Sequence, residues 1–188
     1  MKCLKLYHGS LAKEQILTRG FDINAPRSRD PGDFGWGIYL TSSVGKAKAV
    51  AGMSNVLEVR VCFTRPLILH SPYSIGNPET TGDWFIRGLR EKYGDPVHGL
   101  TPEEVEELYR QGKSNERIKQ LDADNRVTSA KKWAEEIQKA GYDAVVWEKP
   151  YRYGKIVPHY EVVIFDPSQI TEIKPYGAQS EMTRNPYR

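Results

Sequence analysis

Asp33-Phe34-Gly35-Trp36-Gly37-Ile38-Tyr39-Leu40-Thr41-Ser42-Ser43 is the stretch on which the reading of the whole chain turns. Two glycines bracket a tryptophan, then a short apolar run carries one tyrosine and ends in three hydroxyl residues. Gly35 and Gly37 admit backbone angles closed to other residues and let another group approach the main chain. Ile38-Tyr39-Leu40 reads as a strand, so Tyr39 points to the face opposite its aliphatic neighbours. A tyrosine so turned, beside bare backbone, is a platform for a flat ligand. The same residues also fit a glycine-punctuated loop that feeds a strand with an ordinary core tyrosine.

On the N-terminal side, Leu4-Lys5-Leu6-Tyr7-His8 alternates as a strand and Gly9-Ser10 breaks it, which puts His8 at a strand end. Ser10 to Arg19 has helical spacing, with Leu11, Ile16 and Leu17 apolar, Ser10 as N-cap and Gly20 as stop. Phe21 and Ile23 follow as a short extended piece, and 24–33 is a loop with Arg27, Arg29 and two prolines.

On the C-terminal side, Ser43 caps a short helix over Lys46 to Ala51. Val56 to Phe63 alternates as a half-exposed strand, and Pro66 to Leu69 as a second. Helical patterns follow at Asp83–Tyr93, Pro102–Gln111 (with Thr101 as N-cap) and Thr128–Ala140, where Trp133 and Ile137 share a face. Tyr142 to Trp147 is a buried strand, followed by a polar, aromatic loop up to His159. The strand Tyr160 to Phe165 comes next, with a last edge strand over Ile170 to Lys174. Glu161 is the odd member: a carboxylate opening an otherwise apolar strand, where burial without a partner costs several kcal/mol. It is solvated at the strand mouth, paired, or there for a cation-like ligand.

Composition bounds the rest. The 188 residues are 39% hydrophobic and 27% charged, enough for a real core in one domain. The net charge of +3 is concentrated in the first 60 residues, which suits an anionic ligand such as a dinucleotide or nucleic acid. Cys3 and Cys62 stand far apart without metal-ligand spacing, so neither a disulfide framework nor a zinc site is expected. No run approaches membrane-spanning length and the first residues lack a continuous apolar segment. The expected location is the cytoplasm, or a target cell reached without an N-terminal signal. Gly35-x-Gly37 lacks the third glycine and the helix of a dinucleotide fingerprint.

Three pieces in order, Tyr7-His8-Gly9-Ser10, Phe34-Gly35-Trp36-Gly37-Ile38-Tyr39 and Glu161 opening its strand, resemble the histidine–tyrosine–glutamate class of ADP-ribosyltransferases. That class holds the poly(ADP-ribose) polymerases and diphtheria-type toxins, and the likeness is strongest to small bacterial and phage members. Ile16-Leu17-Thr18-Arg19-Gly20-Phe21 and the run from Glu161 to Ile170 add to it. The resemblance implies an α+β fold, a split β-sheet core with flanking helices in one domain over 1–176; the residues themselves read 83–140 as a helical insert or flank on a β-rich body and 177–188 as a loose polar tail. The resemblance also implies mono-ADP-ribosyl transfer from NAD without a metal. Glu161 would face the charge that develops on the ribose, as in glycoside hydrolysis. His8 would bond the adenosine-side ribose, the Gly9 backbone the nicotinamide amide, and Tyr39 would stack on the nicotinamide ring. Ser10, Trp36, Gly37, Thr41, Ser42, Arg19 and Arg29 complete the expected NAD contacts. Acceptor recognition falls to Tyr151, Arg152, Tyr153, Lys155 and His159.

The chain departs from that pattern at three positions. The arginine that binds the adenosine side falls at Asp22, the serine that holds the nicotinamide amide at Ala47, and a second stacking tyrosine at Val50. Family frequency favours a protein acceptor, whereas aromatic and basic residues interleaved in the 148–159 loop suit a nucleic acid. Both stay open, as do an NAD glycohydrolase and a binding module on the same fold. A ribonuclease using His8, His159 and a lysine has no support in spacing. A toxin or defence-type effector, monomeric and paired with an antitoxin or immunity partner, is the biological setting the resemblance implies.

Overall fold

The structure, a computed structural model, describes residues 1–25, 32–70, 80–149 and 159–177. Alternation in the sequence becomes strands at β1 (Lys2–Gly9), β2 (Ile38–Thr41), β3 (Val56–Phe63), β4 (Pro66–His70), β5 (Ala144–Lys149), β6 (His159–Ile164) and β7 (Ile170–Pro175). They form one sheet in the order β4-β5-β6-β2-β1-β3-β7, which leaves β7 at an edge. All neighbours are antiparallel except β4 and β5. A parallel pair needs a crossover, and α3 (Thr81–Tyr93), α4 (Pro102–Arg110) and α5 (Asn115–Lys139) supply it. The helical stretch is thus the connection between two neighbouring strands.

The sheet nearly separates between β1 and β2. Eight residue pairs join β1 to β3, but Tyr7↔Thr41 is the pair that joins β1 to β2. One shared core still joins the halves. Ile38, Leu40, Val146, Val162 and Ile164 meet Leu6, Leu57, Val59 and Val61 in one core, closed by Ile16 and Leu17 of α1 (Lys13–Arg19). On the other face of the β4-β5-β6-β2 half, Leu67, Leu69, Val145 and Val163 pack under Ile86 and Leu89 of α3 and Trp133 and Ile137 of α5. Trp133 and Ile137 are fully buried, on the shared face their spacing gave them. Among the described residues, no helix is long and apolar enough to cross a membrane.

Helix starts follow their caps. Ser43 Oγ accepts from the Lys46 N–H to open α2 (Val44–Ala51). Thr101 and Glu104 close a reciprocal capping box at α4. Four expectations are corrected. First, α1 begins at Lys13, because Ser10 Oγ accepts from the nearer Ala12 N–H and leaves Leu11 exposed. Second, Phe21 and Ile23 are not in a strand; they are held by side-chain contacts described below. Third, α5 starts at Asn115, well before Thr128, capped by Ser114 and anchored by Ile118. Fourth, Cys3 and Cys62 form a disulfide, since the β1–β3 register sets them directly opposite.

Candidate active site

The three elements that carry the conspicuous residues converge where the sheet is weakest. Thr41 is paired on one side with Tyr7 of β1 and on the other with Glu161 of β6. Tyr39 lies two residues back along β2, on the same face as Thr41 and Glu161. His8 Nδ1–H donates to the Tyr39 carbonyl at 2.8 Å, so a side chain ties the strands together beyond their single pair. Its ring meets Phe21 edge-on at 5.0 Å. A carbonyl only accepts, which fixes the proton on Nδ1.

Tyr39 does more than present a ring. Its hydroxyl accepts from the Phe34 N–H at 2.8 Å and donates to the Gly35 carbonyl at 2.9 Å, so it is the peg on which the glycine loop hangs. Trp36 turns away toward α5: its N–H donates to the Ala130 carbonyl at 2.9 Å and its indole N–H to the Ile23 carbonyl at 3.0 Å. Lys131 Nζ lies 5.1 Å from that ring's centre.

The glycines make room for protein. A Cβ on Gly37 would fall 2.4 Å from Val163 Cγ1, and one on Gly9 only 2.0 Å from the Ala47 carbonyl oxygen. Gly35 has φ of +103° and lies against Ala130 and Ala134 of α5.

Glu161 is 18% exposed, and its carboxylate pairs with Lys46 Nζ and lies 3.9 Å from His159 Nε2. His159 Nδ1 in turn sits 3.3 Å from Ser42 Oγ, which accepts from the Tyr160 N–H at 2.8 Å. Thr41 Oγ1 accepts from the Ser43 N–H at 3.1 Å. Two residues here escaped the sequence reading. Lys46 is the third residue of α2, a place where the helix dipole disfavours a cation. Ser43 as N-cap sets it one turn beyond Thr41, and the Glu161 carboxylate offsets the unfavourable position. Trp147 pairs with Glu161 from β5 and meets Phe34 edge-on at 4.9 Å. Its alternation was legible, but the register that puts it beside Glu161 was not.

Ser10 sits just past the end of β1, its N–H on the Asn55 carbonyl at 3.0 Å. Arg19 is exposed in the last turn of α1. Asp22 Oδ1 accepts from the Asn24 N–H, Ala47 is buried under β1, and Val50 points to solvent at 76% exposure. Arg27, Arg29, Tyr151, Arg152, Tyr153, Lys155 and the tail beyond 177 lie outside the described residues. Among the described residues no three His, Cys, Asp or Glu side chains gather to hold a metal ion.

The mixed sheet parts between its halves, and a strand bearing His8, a strand bearing Tyr39 and a strand bearing Glu161 meet at the parting. The family model for the ADP-ribosyltransferase in polyvalent proteins matches residues 2–177, and the chain belongs to that family. It is therefore an ADP-ribosyltransferase, of a family that uses NAD as substrate. No curated protein matches it.

Proposed function

We propose that the chain transfers a single ADP-ribose from NAD to a macromolecular acceptor, with Glu161, Tyr39 and His8 as the working residues. The observation that carries the reading is the place of Glu161: in register with Thr41, on the face of Tyr39, at the parting of the sheet. In the reaction the bond from ribose C1′ to the nicotinamide nitrogen breaks, and its electron pair leaves with nicotinamide. Positive charge spreads over C1′ and the ring oxygen. The Glu161 carboxylate bonds the 2′-hydroxyl and faces that charge. Lys46 steadies the carboxylate through its ion pair and yields an oxygen to the ribose when NAD binds. Tyr39 supports the nicotinamide, and His8 the adenosine-side ribose. The acceptor then adds at C1′ and loses its proton.

Because such an enzyme consumes NAD, we favour a toxin or defence-type effector acting in the cytoplasm of the cell it affects, restrained by a partner protein in the cell that makes it. The test uses NAD labelled in its ADP-ribose, a cell extract, and Glu161→Gln beside wild type. Glu161→Gln should lower nicotinamide release by about 100-fold or more, the scale of removing one group that faces transition-state charge. Wild-type release of nicotinamide with only free ADP-ribose as product would make the enzyme a glycohydrolase, and no release at all would sink the reading.

A further inference from the structure

Two basic side chains converge on one oxygen of the Glu161 carboxylate. Lys46 Nζ pairs with Oε1 from α2, and His159 Nε2 stands 3.9 Å from the same Oε1 along β6. The two differ in what the surroundings can do to them. A lysine ammonium keeps its charge across the physiological range, whereas an imidazole gains or loses one close to neutrality. Of the two, His159 is the one whose charge follows the pH.

The ring is held in a defined place. Alternation along β6 puts His159 and Glu161, two residues apart, on one face of the sheet. Ser42 Oγ lies 3.3 Å from His159 Nδ1. Ser42 is itself fixed: its Oγ accepts from the Tyr160 N–H at 2.8 Å, and its own N–H donates to the Tyr160 carbonyl at 2.9 Å. With Nδ1 on Ser42, the part-buried imidazole turns Nε2 toward Glu161. In an imidazolium both ring nitrogens donate. Ser42 Oγ has a second lone pair for the Nδ1–H, and the carboxylate faces the Nε2–H, so the arrangement suits the charged ring at both ends. Around it, among the described residues, the charged groups are Glu161 on its own strand and Lys46 on α2, and the β5 register sets Lys149 opposite His159; the β2 side offers the uncharged Ser42.

We infer that His159 is a positioning residue that acts through Glu161 and holds the enzyme back in mildly acidic surroundings. The inference rests on the transfer reading above and adds its regulation. Neutral, His159 leaves the carboxylate to the ribose 2′-hydroxyl and to the positive charge that develops at C1′. Protonated, its Nε2–H competes with the ribose for the carboxylate. Its charge also opposes the charge of the transition state, in a part-buried site where salt screens little.

The experiment measures kcat/KM for nicotinamide release from NAD by wild type, His159→Gln and Glu161→Gln from about pH 5.5 to 8.5. Wild type should lose about tenfold between roughly pH 7.5 and 5.5, the interval over which an imidazole takes up its proton. His159→Gln should change less than about twofold over the same interval, because its amide does not titrate. Each protein is compared with itself across pH, so a lower folded yield scales its whole profile and leaves the shape unaltered. Circular dichroism at both ends of the range gives the folded fraction by which each point is divided. A flat wild-type profile would overturn the inference. So would an acid limb kept in His159→Gln, which would assign it to another group, His8 first. Either result leaves the transfer reading standing as long as Glu161→Gln loses release, whereas wild type that releases no nicotinamide at any pH overturns both.

Discussion

Tyr39 carries two jobs on one side chain. The ring lies on the Glu161 face of β2, and the hydroxyl holds the loop through Phe34 and Gly35. The ring-only role suggested by sequence alone would make Tyr39→Phe nearly silent. With the hydroxyl bonded at both ends, removal leaves a part-buried N–H and C=O to find new partners. Tyr39→Phe should therefore cost about 1–3 kcal/mol of unfolding free energy while keeping measurable turnover. Tyr39→Ala should lose both stability and turnover. Denaturant unfolding beside a nicotinamide-release assay separates the two, and equal stability of Tyr39→Phe and wild type would remove the hydroxyl from the account.

Among the elements, glycine positions give the sharpest contrast. Gly37→Ala forces a methyl to within 2.4 Å of Val163 Cγ1 and 2.7 Å of the Ile164 carbonyl oxygen, so β2 must move off β6. A loss of about 1–3 kcal/mol or more is expected, with turnover falling as Tyr39 shifts with its strand. Gly88, in the middle of α3, meets nothing within 4 Å, and Gly88→Ala should gain about 0.5–1 kcal/mol. Thermal unfolding of the pair is the check. The same comparison shows what sequence can hold. β3 was legible residue for residue because alternation is local, and α4 because its threonine cap and first-turn acids are local too. The first half of α5 was not, since Asn115 to Val127 carries few apolar residues and buries Ile118 alone among them. The protein groups that lie against Gly9, Gly35 and Gly37 come from α2, α5 and β6, distant in sequence, so the sequence could not name them. At the candidate site, His8, Tyr39 and Glu161 stood out by motif, whereas Lys46 and Trp147 are brought beside Glu161 by a cap and a register.

Across the whole molecule, the face of β1, β3 and β7 that carries Lys5, Glu58 and Lys174 is held by paired charge. A shallow cavity of about 310 Å³ there is lined by Lys5, Glu58, Arg60, Glu172 and Lys174, on the half of the sheet away from Glu161. Partial burial pushes the Glu58 carboxyl up, but hydrogen bonds from Lys174 and Lys5 outweigh it and hold the group below its ordinary range. Lys174 is raised in turn by Glu58 and Glu172. A depressed carboxyl stabilises the fold above its ordinary value near 4.5 and ceases to as pH falls through the lower folded value. A raised ammonium stabilises below its ordinary 10.5 and ceases to as pH rises through its folded value. Glu58→Gln should thus melt slightly below wild type at neutral pH, and the two should converge under acid. A gap that persists once the carboxyl is protonated would assign the loss to packing.

The disulfide acts on the same half-sheet. Cys3–Cys62 closes a separation of 59 residues and ties the start of β1 to the end of β3. The tie reinforces the strongly paired side of β1, whereas its other neighbour, β2, holds it through one residue pair and the His8 bond. Loop-closure entropy for a separation of this length amounts to about 4 kcal/mol, a large part of the roughly 5–15 kcal/mol of a typical domain. Cytosol keeps such thiols reduced, so the chain at work in a cytoplasm would have to stand without this contribution. Denaturant unfolding of wild type with and without reductant, beside Cys3→Ser/Cys62→Ser, measures it. Reductant should lower the wild-type midpoint to that of the double variant and leave the variant unmoved. If the Tyr39 carbonyl and the Phe21 ring hold His8 in place without help from the cross-link, nicotinamide release per folded molecule should survive reduction. A parallel loss of release at temperatures where the reduced chain stays folded would show instead that the cross-link positions β1 for catalysis.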